Sequence, residues 1–156
     1  MERAAEAHQK ESLAQETRAI LEEARMVLPG IQALFGFQLM AVFNARFEDL
    51  GAALQTIHLI ALVAGAVAMA LVMTPAAYHR IAERGQISSR FTGLASWLIA
   101  AAMGPLALSI ALDAFVVSTV IVDSPVIAAV IGASLALMFF AMWFAWPTLE
   151  ARRRRQ

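Results

Sequence analysis

Four polar residues stand out where the surrounding chain is apolar: Asp113, His58, Arg46 and Asn44. An imidazole exchanges its proton near neutral pH, and a carboxylate set among apolar residues must find a partner, a proton or an ion. Together they suggest proton or cation handling, with Asp113 and His58 as the exchanging groups and Arg46 and Asn44 beside them. Other chemistry finds no support. The chain has no cysteine and no H-E-x-x-H, G-x-G-x-x-G, P-loop or C-x-x-C motif, and His8, His58 and His79 are too dispersed to suggest a metal site. No nucleophile with an adjacent base can be assembled, so neither an enzyme nor a metal nor any cofactor is expected.

The elements that carry these residues follow from hydropathy. The 156 residues are 60% hydrophobic and 15% charged, with zero formal net charge, and the mean hydropathy of +0.67 is that of a membrane protein. Residues 26–45, 50–79, 91–112 and 124–149 contain no Asp, Glu, Lys or Arg. This pattern excludes a disordered tail, a soluble Rossmann or TIM-type enzyme and a disulfide scaffold. Nucleic acid is not expected as a partner, because a clustered basic surface occurs only in the last residues.

The fold class is therefore all-α: a four-span transmembrane bundle preceded by an amphipathic helix. Residues 1–28 hold ten charges, with Leu13, Thr17, Ile20, Leu21, Ala24 and Leu28 on one helical stripe. Pro29-Gly30 is expected to end this helix and start the next. The acid-rich arm does not suit a secretory signal, so the first apolar run should remain in the mature chain. The membrane domain is placed at 29–149, with spans of about 31–47, 54–78, 91–122 and 126–146, and a basic tail at 150–156. In the first span, Gln32, Gln38 and Asn44 fall on different faces and form no polar stripe. The third, roughly 48 Å as one helix, is expected to tilt or kink at Gly104-Pro105, with a broken helix as the alternative.

Basic residues near span ends are retained in the cytoplasm. Four spans with both termini inside place eleven of the twelve basic residues on that side and leave Arg46 outside. Tyr78, Trp97, Trp143 and Trp146 agree as inner-interface aromatics. Counting from Tyr78 and Trp97 then brings His58 and Asp113 to similar depth in the outer leaflet, the layer in which span one ends with Asn44 and Arg46. A lipid-facing carboxylate costs roughly 2.5–3.5 kcal/mol at a helix centre. Asp113 is thus expected to pair with His58 or Arg46 in an outward-facing pocket; the simpler alternative is that each group reaches headgroup water.

Small residues should pack the spans: Ala128, Gly132 and Ala136 on span four, Gly65 on span two. Within one chain they hold the bundle; between chains they would make a homo-oligomer. Arg80, Arg84 and Arg90, with Arg152, Arg153, Arg154 and Arg155, suit contact with anionic lipid or a cytoplasmic partner, or serve topology alone. The bilayer itself is the first partner, and the sequence does not identify a second.

Leu28-Pro-Gly-Ile-Gln-Ala-Leu-Phe-Gly-Phe-Gln38, followed by Val42-Phe43, Arg46-Phe47 and Pro75-Ala-Ala-Tyr-His79-Arg80, resembles an uncharacterised family of small four-helix bacterial membrane proteins. Some of its members carry a sodium/proton antiporter label. The likeness covers roughly the first 90 residues and extends to the last two spans in hydropathy. It implies a bacterial inner-membrane location and raises cation/proton transport as an activity. The other class of function consistent with the residues is an accessory membrane module that binds a partner at the inner face.

Overall fold

The computed structural model describes residues 2–83, 88–122 and 124–154, and for residues 2–10 the backbone alone. The elements are α1 (Glu2–Val42), α2 (Ala45–Glu48), α3 (Ala52–Ala82), α4 (Ser89–Val122), α5 (Pro125–Phe140), a π-helical turn (Ala141–Ala145) and α6 (Trp146–Arg153). Four stretches are long and apolar enough to cross a bilayer: Glu11–Val42, Ala52–Ala82, Ser89–Val122 and Pro125–Arg153. The chain is a multi-pass membrane protein.

Association of these helices follows a repeat of seven. Thr17, Ala24, Ile31 and Gln38 form the buried seam of α1, and Ala95, Ala102, Ser109 and Val116 that of α4. α3 buries two such rows, His58-Gly65-Val72 and Ala61-Ala68-Pro75. A seven-residue buried repeat is the pattern of left-handed helix packing, and small residues let the backbones approach where lipid supplies no hydrophobic drive. Most large apolar side chains point the other way: Phe37, Val63, Trp97, Leu137 and Trp146 are all exposed, as in a lipid-facing belt. α4 is central, touching α1, α3 and α5.

Three boundaries differ from expectation. α1 does not break at Pro29-Gly30 but continues through it. Pro29 lies on the exposed face, while Ala24, Leu28 and Ile31, on either side of it, pack in one cluster with Val72 and Ala102. These contacts keep the helix continuous across one missing backbone bond. The stripe from Thr17 to Leu28 is accordingly the packed face of the N-terminal half of α1, and the expected division at 28/29 is not a helix boundary.

The first span also ends early, at Val42. Asn44 caps the short α2, its Oδ1 accepting from the Arg46 N–H at 3.0 Å. α4 runs unbroken through Gly104 and Pro105, so the broken-helix alternative does not apply. In the last span an unexpected π-helical turn precedes Pro147. Proline has no N–H to offer the carbonyl one turn back, and a widened turn takes up the mismatch.

Candidate functional site

Three seams meet near the end of the bundle formed by α2. His58 lies seven residues inside α3 from its cap Gly51, about 10 Å in depth, and about 33 Å from Arg80 at the far end. Asp113 lies nine residues from the end of α4, about 14 Å. Both are therefore nearer the α2 end of a hydrocarbon core about 30 Å thick.

Gln38 of α1 joins them. Its Nε2 donates to Ser109 Oγ at 2.8 Å and also to Asp113 Oδ2. His58 Nδ1 stands 3.3 Å from Asp113 Oδ1, and His58 Nε2 is 3.0 Å from the backbone carbonyl of Gln38. The Phe47 ring meets His58 edge-on at 5.3 Å. Gly65 makes this crossing possible, since a Cβ there would lie 3.2 Å from both Gln38 Oε1 and Ser109 Oγ. Asn44 and Arg46 contribute from the rim.

The hydrogen bond to the Gln38 carbonyl sets which His58 nitrogen carries hydrogen. A carbonyl only accepts, so Nε2 of His58 must carry hydrogen. Nδ1 then faces a carboxylate oxygen, and two lone pairs there would repel. One proton on Nδ1 or on Oδ1 turns the contact into attraction. With one proton the pair would be net neutral, the state that a poorly solvated site favours. The contact has the distance of an ion pair but not the geometry of a hydrogen bond; Asp113 Oδ1 and Gln38 Oε1 are buried without a hydrogen-bond partner.

Above the pair opens a cleft of about 420 Å³ between α1, α2 and α4, within the usual range of small-ligand sites. Asp113, His58 and Gln38 lie at its polar floor, Val116, Val117 and Val120 form an apolar wall, and Asn44 and Arg46 are at the mouth. Phe37, Val117 and Ile121 line it yet are exposed, so the cleft opens sideways toward lipid. All four polar residues singled out in the sequence border this one space. Asp113 pairs with His58; among the described residues Arg46 makes no ion pair. Below the floor, Ile31, Val72 and Ala102 close the bundle with apolar contacts.

The family model described as "Family of unknown function (DUF6328)" matches residues 6–147. The chain belongs to that family. Comparisons with curated proteins and with solved structures find no match. The region matched by the DUF6328 family includes the whole polar floor and the cleft, and stops short of the arginine tail.

The remaining sequence candidates are scattered. Ala128 and Gly132 pack on α4, where a Cβ at Gly132 would meet Phe115 Cβ at 3.0 Å and the Ala111 carbonyl at 3.1 Å; Ala136 is exposed and does not extend that contact. Arg80, Arg90, Arg152 and Arg153 are exposed, and Arg154 pairs with Glu150 at 3.4 Å. Arg84 and Arg155 lie outside the described residues. Sequence reasoning passed over Gln38, Ser109 and Phe47. For Gln38 the usable signal was its position seven residues beyond Ile31 on an otherwise buried row, and for Ser109 its place four residues before Asp113 on one helix face.

Proposed function

We propose that this protein is a small proton-coupled membrane transporter in which the Asp113–His58 pair binds and releases one proton at the outer side of the bacterial inner membrane, with both termini in the cytoplasm. One observation carries the reading: Nδ1 of His58 faces Asp113 Oδ1 at 3.3 Å while its Nε2 is committed to a carbonyl, so the contact needs one proton and the open cleft gives that proton a way out. Gln38 orients the carboxylate through its other oxygen. Only a change in helix packing would expose the pair to the opposite side, because the inner half is closed. A second copy is the proposed source of that change, since among the described residues α5 packs mainly on α4 and leaves Val130, Leu137 and Phe140 exposed.

Proteoliposomes with an internal pH dye and an imposed potential test the reading. Proton flux is expected in the unaltered protein and is expected to fall at least tenfold in Asp113→Asn. Flux unchanged in the Asp113→Asn/His58→Gln double variant overturns it.

The closed inner half favours a second reading, an accessory module without transport. In that case the exposed charges of α1, Glu22, Glu23 and Arg25, would hold a partner at the cytoplasmic face. Replacing the three with alanine should then abolish co-purification of that partner while leaving the bundle folded.

A further inference from the structure

The cleft above the proton-holding pair has the wrong chemistry for a bare metal cation. A hard metal cation takes a shell of about six oxygens, whereas among the described residues the floor presents two buried side-chain oxygens without hydrogen-bond partners, Asp113 Oδ1 and Gln38 Oε1, and the walls are apolar. A ligand that fits must have a large apolar body for the walls and a single positive charge for the floor.

Resting on the proton-coupled reading above, we infer that the cleft is a binding site for a hydrophobic monovalent organic cation, and that this cation and the proton exclude each other from the Asp113–His58 pair. The argument is charge conservation in a site that water reaches poorly. With its proton the pair is neutral. Without it, Asp113 is an anion beside a neutral imidazole, and the site carries one uncompensated negative charge. A monocation restores neutrality. Proton and cation together would leave a net positive site, and the absence of both a net negative one, each disfavoured at this depth. Binding is therefore an exchange: one cation enters, one proton leaves, and the total charge is unchanged.

The walls supply affinity and the route. Phe37 and Phe47 give two aromatic faces for a cation, and the lateral opening beside Val117 and Ile121 lets an apolar body arrive from the bilayer. The titratable and charged groups around the cleft are Asp113 from α4, His58 from α3 and Arg46 from α2; α1 contributes Gln38 and no titratable group. Arg46 at the mouth opposes a cation, so its removal should tighten binding. An anionic amphiphile would reverse that dependence, using Arg46 for its head and pressing its tail against the polar floor.

The test uses the full chain in phosphatidylcholine nanodiscs with tetraphenylphosphonium as the probe, measuring binding by calorimetry and released protons with an indicator in weak buffer. One proton should be released per cation bound, and the dissociation constant should rise about tenfold per unit fall in pH while the pair is protonated. Asp113→Asn should abolish proton release and weaken binding at least tenfold, and Arg46→Ala should bind more tightly. In the unaltered protein the His58 ring and the Asp113 carboxyl, followed by nitrogen and carbon NMR, should exchange the shared proton with pH, and added cation should displace that exchange to lower pH. Binding without proton release overturns the inference, as does equal proton release by sodium chloride, or binding of oleate but not the phosphonium that is lost in Arg46→Ala. A pair that exchanges its proton without any competition from the cation removes this inference and leaves the proton-coupled reading; a pair in which neither the His58 ring nor the Asp113 carboxyl exchanges a proton removes both.

Discussion

The two ends of the α1–α4 seam use the same positions for opposite purposes. At the end near the chain termini, Thr17 meets Thr92 at 2.9 Å, and Thr92 in turn donates to the Ser88 carbonyl. The hydroxyls satisfy one another, Thr17 is 1% exposed, and Ile20, Phe91 and Ala95 close over them. Three seven-residue repeats away, Gln38 replaces the hydroxyl, and its partners Ser109 and Asp113 bring more acceptors than there are donors. Two oxygens remain unpaired, and the helices part into a cleft. A closed ladder of neutral hydroxyls glues helices at little risk, whereas an open network that must hold a proton to be stable is suited to exchange.

This contrast can be broken by substitution. The largest loss is expected for His58→Phe, which keeps an aromatic ring against Phe47 but strands Asp113; the bundle should lose about 3 kcal/mol in reversible unfolding. A loss below ~1 kcal/mol would mean that Asp113 is solvated and the floor is not a coupled pair. Gly65→Ala comes next. Its methyl would push against the Gln38 and Ser109 side-chain ends, costing about 1–2 kcal/mol, and Gln38→Leu in the same chain should change that cost if the crowding is at the amide. At the hydroxyl end, Thr17→Val should cost about 1 kcal/mol by leaving Thr92 short of a partner, and adding Thr92→Val should recover most of it, because removing both partners is nearly neutral. Were the double variant as poor as the sum of the singles, the description of that end as a self-contained pair would fail.

Much of this was legible along the chain. The charge-free stretches located the four spans, and counting from Tyr78 and Trp97 put His58 and Asp113 at similar depth because a helix rises uniformly. The amphipathic stripe of the first 28 residues was read as an apolar face, but not as continuous with the helix of the first span. Pro29-Gly30 carries a strong local stop signal, and contacts with Val72 and Ala102, distant in sequence, override it. Gln38 was set aside because three amides on one helix share no face; its partners lie on other helices. The π-helical turn before Pro147 followed from a local conflict that hydropathy does not register.

Composition and spacing along the chain determined that this is a four-span helical membrane protein, and how far each polar residue lies along its helix, since both depend on sums over neighbouring residues and on a fixed rise per residue. Tertiary structure alone decided that Asp113 pairs with His58 while Arg46 remains at the rim, that Gln38 and Ser109 complete the floor, and that a cleft opens beside them. Those outcomes depend on how each helix is rotated about its axis against the others, and that rotation is set by the packing of Gly65, Ala102 and Gly132 across helices.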